Sequence, residues 1–168
     1  QITGRHRMIH IRQAGLLDAR DAAELLNAII ARGGTTAHTG VLSREDIVGW
    51  MTRYPGQSAW YVAENASGTL LGFQFIEPHP DLPPEACDIA SFVRLGQTGL
   101  GIGSKLFEAT CRAARDLGYT WINATIRADN TGGLAYYQSR GFEDYALHPE
   151  KELANGQVVD KVSKRFDL

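Results

Sequence analysis

Thr98-Gly99-Leu100-Gly101-Ile102-Gly103-Ser104-Lys105-Leu106 is the stretch on which the reading of this chain turns. Ahead of it, residues 87–93 form a β-compatible run. Behind it, Ile102, Leu106, Ala109, Ala113 and Leu117 recur at spacings suited to the buried stripe of a helix that stops at Gly118. A glycine-rich turn in that position gathers backbone N–H groups at a helix N-terminus, where an anion docks, and glycine lets a phosphate approach without Cβ obstruction. A nucleoside-triphosphate loop requires Gly-Lys-Ser/Thr, whereas Gly103-Ser104-Lys105 has the order reversed. A dinucleotide fold requires its glycines beside the first strand and an acidic residue about 20 positions on; here they come late and at a different spacing. Tight helix packing is the purely structural use of the same glycines.

Working outward, residues 8–13 alternate as a first strand, and Asp18 opens a helix with Ala22, Leu25, Leu26 and Ile29 on one face. Ser43-Arg-Glu-Asp46 resembles a capping box and starts a second, short helix running to about Arg53. Residues 59–63 and 70–76 flank a turn at 65–68 and read as an antiparallel hairpin. Pro80, Pro83 and Pro84 mark a loop. After the glycine turn and its helix come a strand at 121–126, a short helix at 130–140 stopped by Gly141, and two strands at 142–147 and 157–166 around a polar loop. The order β-α-α-β-β-β-α-β-α-β-β implies an α/β fold in which helices cover a mixed sheet.

The chain is one domain's worth at 168 residues, and 17 Lys+Arg against 19 Asp+Glu give a formal charge of −2. That balance lacks the basic footprint of a nucleic-acid or anionic-membrane binder. No apolar run reaches the ~18 residues of a membrane span, so a soluble, cytoplasmic protein is expected. Residues 1–7 read as an N-terminal extension ahead of a start at Met8, followed by a single domain over 8–168. Cys87 and Cys111 are too few for a disulfide framework and lack zinc-site spacing, so no metal is expected.

Val93, the run Gly101-Ile102-Gly103-Ser104-Lys105-Leu106, then Asn130, Tyr137 and Gly141-Phe142, taken with the order of elements, resemble the GNAT superfamily of acetyl-CoA-dependent N-acetyltransferases. The resemblance implies a mixed, mostly antiparallel sheet of about seven strands with helices on both faces. It implies that Thr98, Gly99, Leu100, Gly101, Ile102, Gly103 and Ser104 cradle the pyrophosphate of coenzyme A. Phe92, Val93, Arg94 and Leu95 would form the splayed strand edge that pairs with the pantetheine, with Phe92 or Val93 offering an N–H to the oxyanion. Arg53-Tyr54-Pro55, Tyr61-Val-Ala-Glu64 and Val159-Asp160 add a sparser similarity to the phosphinothricin acetyltransferase branch, which implies a small, amino-acid-like acceptor and a homodimer.

Acyl transfer from a thioester to an amine sets its own requirements. An alkyl ammonium with a pKa near ~10 must lose a proton before it attacks, the developing oxyanion needs donors, and the departing thiolate needs a proton or a hydrogen bond. The resemblance places Tyr137 at the leaving sulfur, with aromatic packing as the alternative and Tyr136 as the expected core member. Asn130 would either bond the pantetheine or cap its helix. Asp88 is the first candidate base, against an ordinary exposed acid at a strand start. His38, in the polar connection 35–39, is the second, against a solvent-facing loop histidine. Glu77 and Tyr61 are weaker alternatives, and the cysteines lack the partners of a nucleophile. Direct transfer in a ternary complex is expected, with a noncatalytic acyl-CoA sensor or a protein or peptide N-terminal acetyltransferase as the alternatives.

Overall fold

A computed structural model describes residues 8–97 and 101–168. Its core is a seven-stranded sheet. The strands are β1 (His10–Gln13), β2 (Ala59–Glu64), β3 (Leu70–Glu77), β4 (Ala86–Val93), β5 (Trp121–Arg127), β6 (Glu143–Glu152) and β7 (Val158–Asp167). They lie in the order β1-β2-β3-β4-β5-β7-β6; β4 and β5 run parallel and every other pair is antiparallel. The helices are α1 (Ala19–Arg32), α2 (Arg44–Thr52), α3 (Ile102–Asp116) and α4 (Thr131–Ser139). The order of elements is the one expected.

The two faces of the sheet bury different clusters. Ala22, Leu25, Leu26 and Ile29 of α1 and Ile47 of α2 pack on Trp60, Val62, Phe73 and Phe75. On the other face Phe107, Cys111 and Ala114 of α3 meet Ile76, Cys87, Ile89, Ile122 and Ala124, with Tyr137 and Phe142 closing the end. Such alternation along each strand is the period-two pattern of a sheet covered on both sides.

Local chemistry fixes the element ends. The Ser43–Asp46 box forms on α2: Ser43 Oγ accepts from Asp46 N at 3.1 Å, and Asp46 Oδ2 accepts from Ser43 N at 2.7 Å. Asp18, expected to cap α1, instead accepts from Gly15 N at 2.8 Å and from Arg12, which anchors a single 3-10 turn (Leu16–Asp18) ahead of the helix. The stripe of α3 also departs from expectation. Ala114 is buried where Ala113 is half-buried and Leu117 exposed, because successive steps of four drift off the face of a helix with 3.6 residues per turn. The β6–β7 ladder extends to Glu152↔Val158, into residues whose polarity reads as loop, because main-chain pairing holds them. A register shift between His148 and Lys151 accompanies it, with Glu150 at φ 54°.

Candidate active site

The feature that makes a site is the parting of β4 from β5. They pair only through Ala86↔Trp121, Cys87↔Ile122 and Asp88↔Asn123. Beyond that point β4 stays on β3 as far as Gly72↔Val93, while β5 stays on β7 as far as Arg127↔Lys161. Arg94 N bonds to Leu71 O at 2.7 Å, and antiparallel alternation then turns the amides of Asp88, Ala90 and Phe92 toward β3. The amides of Ile89, Ser91 and Val93 face the gap. Of the two residues considered for the oxyanion, the geometry therefore favours Val93, since the Phe92 N–H is turned to β3 and its ring packs 5.0 Å from Phe73.

A cleft of about 1510 Å³ runs through the gap. Phe92, Val93, Leu95, Gly101, Ile102, Gly103, Ser104, Asn130 and Tyr137 of the expected cofactor set line it. Arg94 does not; its Nε donates to Leu70 O at 2.7 Å, which draws the guanidinium back to β3. Thr98, Gly99 and Leu100 lie outside the described residues. Gly101 precedes α3 with φ 73°, a left-handed conformation that glycine adopts without a Cβ penalty. Gly103 is glycine for a different reason, because a Cβ there would stand 2.6 Å from Tyr136 Cε1. The packing use of the glycines thus holds at 103 beside the turn use at 101.

Side chains alternate across β4, so Ser91 and Asp88 project to opposite faces. On the α3/α4 face, Gln74 is wholly buried and its Nε2 donates to Ser91 Oγ at 2.8 Å and to Tyr136 Oη at 3.0 Å. Tyr136 Oη donates to Gly103 O at 2.8 Å, and Tyr137 Oη donates to Ser91 Oγ at 2.8 Å. Tyr137, 7% exposed, is the deeper of the two tyrosines, which reverses the expectation that Tyr136 is the core member. Burial pushes the Tyr137 phenol well above its ordinary range, more than the Ser91 bond lowers it. Asn130 caps α4, with Oδ1 accepting from Gly133 N at 3.0 Å, and its Nδ2 donates to Thr35 O at 2.9 Å. Arg140 Nη1 donates to Ser104 Oγ at 2.7 Å.

On the α1/α2 face, Asp88 sits at the vertex of the gap, where Asn123 Nδ2 donates to its Oδ1 at 2.8 Å. Burial raises the Asp88 pKa above the usual carboxylate range; the Asn123 hydrogen bond and the fields of His79 and Arg53 oppose the rise, and Glu77 adds to it. Asn123 also donates to Thr125 Oγ1 at 3.0 Å and accepts from Tyr145 Oη; Thr125, Ser163 and His148 continue the chain at 2.8 Å each. Further out, the His38 ring lies 4.8 Å from Trp50 at a tilt of 31°, where desolvation lowers its pKa ahead of the fields of Arg53 and Lys161. His38 lines the cleft as expected, although among the described residues no hydrogen bond joins it to Asp88. Glu77 is occupied by Arg53, at 2.8 Å from Nε and 2.6 Å from Nη2, and Tyr61 does not line the cleft. Burial pushes the thiols up, Cys87 to about 12 and Cys111 to about 11, which removes them as neutral-pH nucleophiles.

Sequence reasoning passed over Gln74, Ser91, Asn123, Thr125 and Ser163. A signal was present for two of them: Gln74 stands alone in Leu-Leu-Gly-Phe-Gln-Phe-Ile and Asn123 in Trp-Ile-Asn-Ala, and a single amide within an apolar strand needs a partner.

The chain is 25% identical over 160 residues, 94% of each chain, to a Bacillus subtilis (strain 168) protein named "Putative phosphinothricin acetyltransferase YwnH". Among solved structures, the phosphinothricin acetyltransferase from Sinorhizobium meliloti in complex with AcCoA superposes with a TM-score of 0.85 at 18% identity, over 95% of this chain and 88% of that one. The ribosomal-protein-alanine N-acetyltransferase from Brucella melitensis does so with a TM-score of 0.85 at 21% identity, over 95% of this chain and 99% of its own. Residues 24–142 match the family model described as Acetyltransferase (GNAT) family, from within α1, across the parted strands and the first turn of α3, to the Gly141-Phe142 that ends α4. The chain therefore belongs to the GNAT acetyltransferase family.

Proposed function

We propose that this acetyltransferase moves the acetyl group of acetyl-CoA directly to the primary amine of a small, amino-acid-like acceptor. The observation that carries the reading is the gap between β4 and β5, which opens one face of the sheet to the other. The first turn of α3 and the outward amides of β4 offer donors for a diphosphate and a pantetheine arm on one side. Asp88 waits at the vertex on the other. The two halves of an acyl transfer can meet there without sharing an entrance.

Asp88 takes the proton of the incoming ammonium, directly or through a water. A carboxylate whose pKa is raised by burial is a stronger base than one in bulk solvent. His38, which lines the cleft beside Trp50, is the alternative to Asp88 as proton acceptor. The Val93 N–H faces the developing oxyanion, and Tyr137, which donates to Ser91 Oγ, stands behind the sulfur side. The Bacillus and Sinorhizobium relatives named for phosphinothricin, a small amino acid analogue, support the acceptor class. Among the described residues no helix is long and apolar enough to cross a membrane, and we place the enzyme in the cytoplasm. Pairing of two copies belongs to the same reading, supported by the exposed Leu147 and Val158 on the β6–β7 hairpin.

Acetyl-CoA mixed with the protein and a panel of amino acids, amino acid analogues, polyamines and N-terminal peptides, with free thiol as the readout, tests the proposal. Turnover confined to the small amines is expected. Peptide-only turnover would reassign the acceptor, and coenzyme A binding by calorimetry with no turnover on any amine would make the protein a sensor.

A further inference from the structure

Ser91 stands where the parted strand meets the tyrosine pair, and it accepts from both Gln74 and Tyr137. Gly103 O can only accept, so Tyr136 must spend its hydroxyl hydrogen there. The Tyr136 oxygen then accepts from Gln74 Nε2, which fixes the orientation of that amide and turns its other N–H hydrogen to Ser91 Oγ. Tyr137, enclosed by Phe142 and Tyr136, gives its own hydrogen to Ser91 as well. Both lone pairs of Ser91 are thereby filled, and its single O–H hydrogen is left over. Ser91 is half-buried, lines the cleft, and lies three residues beyond the last β4–β5 pair.

We propose that Ser91, and not Tyr137, is the group that touches the leaving sulfur, with Tyr137 and Gln74 as positioning residues that aim the serine O–H into the gap. The inference rests on the acetyl-CoA reading above. Asp88 first passes the proton taken from the ammonium to solvent; as the amine nitrogen then bonds to the acetyl carbon, its second proton leaves by the same route. The electron pair of the breaking C–S bond goes to sulfur. Ser91 holds the thiolate by a hydrogen bond and keeps its proton, so no proton leaves the Tyr137 phenol. That accounting suits the chemistry, because a buried phenol is a weaker acid than a thiol near ~8.5 and gains nothing by protonating its thiolate. Two incoming hydrogen bonds polarise the Ser91 hydroxyl and make it a better donor than a lone serine.

The test compares Ser91→Ala, Ser91→Thr and Tyr137→Phe for turnover, for affinity toward coenzyme A, and for the ultraviolet thiolate titration of bound coenzyme A. Expected for Ser91→Ala are a tenfold or greater loss of kcat, coenzyme A affinity within about twofold of wild type, and a bound thiol that ionises at clearly higher pH. Ser91→Thr keeps the hydroxyl and should recover most of the turnover, while Tyr137→Phe should fall between wild type and Ser91→Ala in both readouts. A Ser91→Ala enzyme with wild-type turnover and thiol titration, beside an inactive Tyr137→Phe, would overturn the assignment and return the sulfur to Tyr137. Wild-type protein that neither binds coenzyme A nor turns over would overturn the acetyl-CoA reading itself, an outcome separate from any difference among the variants.

Discussion

Asp88 and Asn123 are the last residues that β4 and β5 hold opposite one another, and the 2.8 Å bond from Asn123 Nδ2 to Asp88 Oδ1 closes the vertex of the gap. The pair joins the proposed base to the point where the sheet opens. Replacing Asp88 with Asn keeps the shape and an acceptor for Asn123 but removes the proposed base. Turnover should fall by about 10²–10⁴, the usual contribution of a positioned base, with coenzyme A affinity retained. Steady-state rates beside calorimetry check both halves.

The same substitution should raise stability above neutral pH. A carboxyl whose folded pKa is raised binds its proton more tightly in the fold than in the unfolded chain. Its favourable contribution is complete below the ordinary carboxylate range and is lost as pH rises through the folded pKa. At pH 8, well above the ordinary carboxylate range, the buried acid therefore costs stability, and Asp88→Asn should melt higher than wild type; a lower melting temperature would contradict the burial argument.

Arg53 links stability to the pH profile. Its guanidinium grips the buried Glu77 through two bonds and its field lowers the pKa of Asp88. Arg53→Ala should cost about 2 kcal/mol by stranding the Glu77 carboxylate, and Arg53→Ala/Glu77→Gln should recover part of that loss in urea unfolding. With Arg53 gone, the acid limb of kcat/KM should move to higher pH.

Gly103→Ala should be destabilising even though alanine favours helix, because its Cβ would press on the Tyr136 ring. A cost of about 1–3 kcal/mol is expected from this overpacking. Combining it with Tyr136→Ala should give far less than the sum of the single losses, a coupling that denaturant titration of the four proteins measures directly.

Asn130 can be dissected by charge. Asn130→Ala loses the cap on Gly133 and the tether to Thr35 O, and should cost about 1 kcal/mol or more. Asn130→Asp keeps the cap, places an anion at the start of α4, and loses only the tether. Thermal unfolding should rank wild type first, Asp next and Ala last.

The fold was legible because its elements are punctuated by chemistry that acts locally: the Ser43 box, the Asn65–Gly68 turn, and the glycines at 118 and 141. Much of the lining of the cleft on the α3/α4 side was legible for the same reason, since Gly101 to Ser104, Asn130 and Tyr137 lie within one run of chain. What escaped the sequence is what the sheet brings together across long separations. Gln74 meets Tyr136 over 62 residues and Asp88 meets Asn123 over 35, and no periodicity encodes either pairing. The roles of Asp18 and Tyr136 escaped for a related reason: Arg12 and Gly103, their partners, could be identified only in three dimensions.

The register shift between His148 and Lys151 bears on how the protein keeps its outer rim to itself. β6 is one of the two terminal strands of the sheet, with β1 at the other end, and a long, flat terminal strand is a template for stray chains. Pro149 has no N–H to lend, and Glu150 at φ 54° breaks the straight run beside it. A second register shift, between Asp144 and Ala146, interrupts the other half, so neither part of this strand offers further chains a long straight border on which to build fibrils.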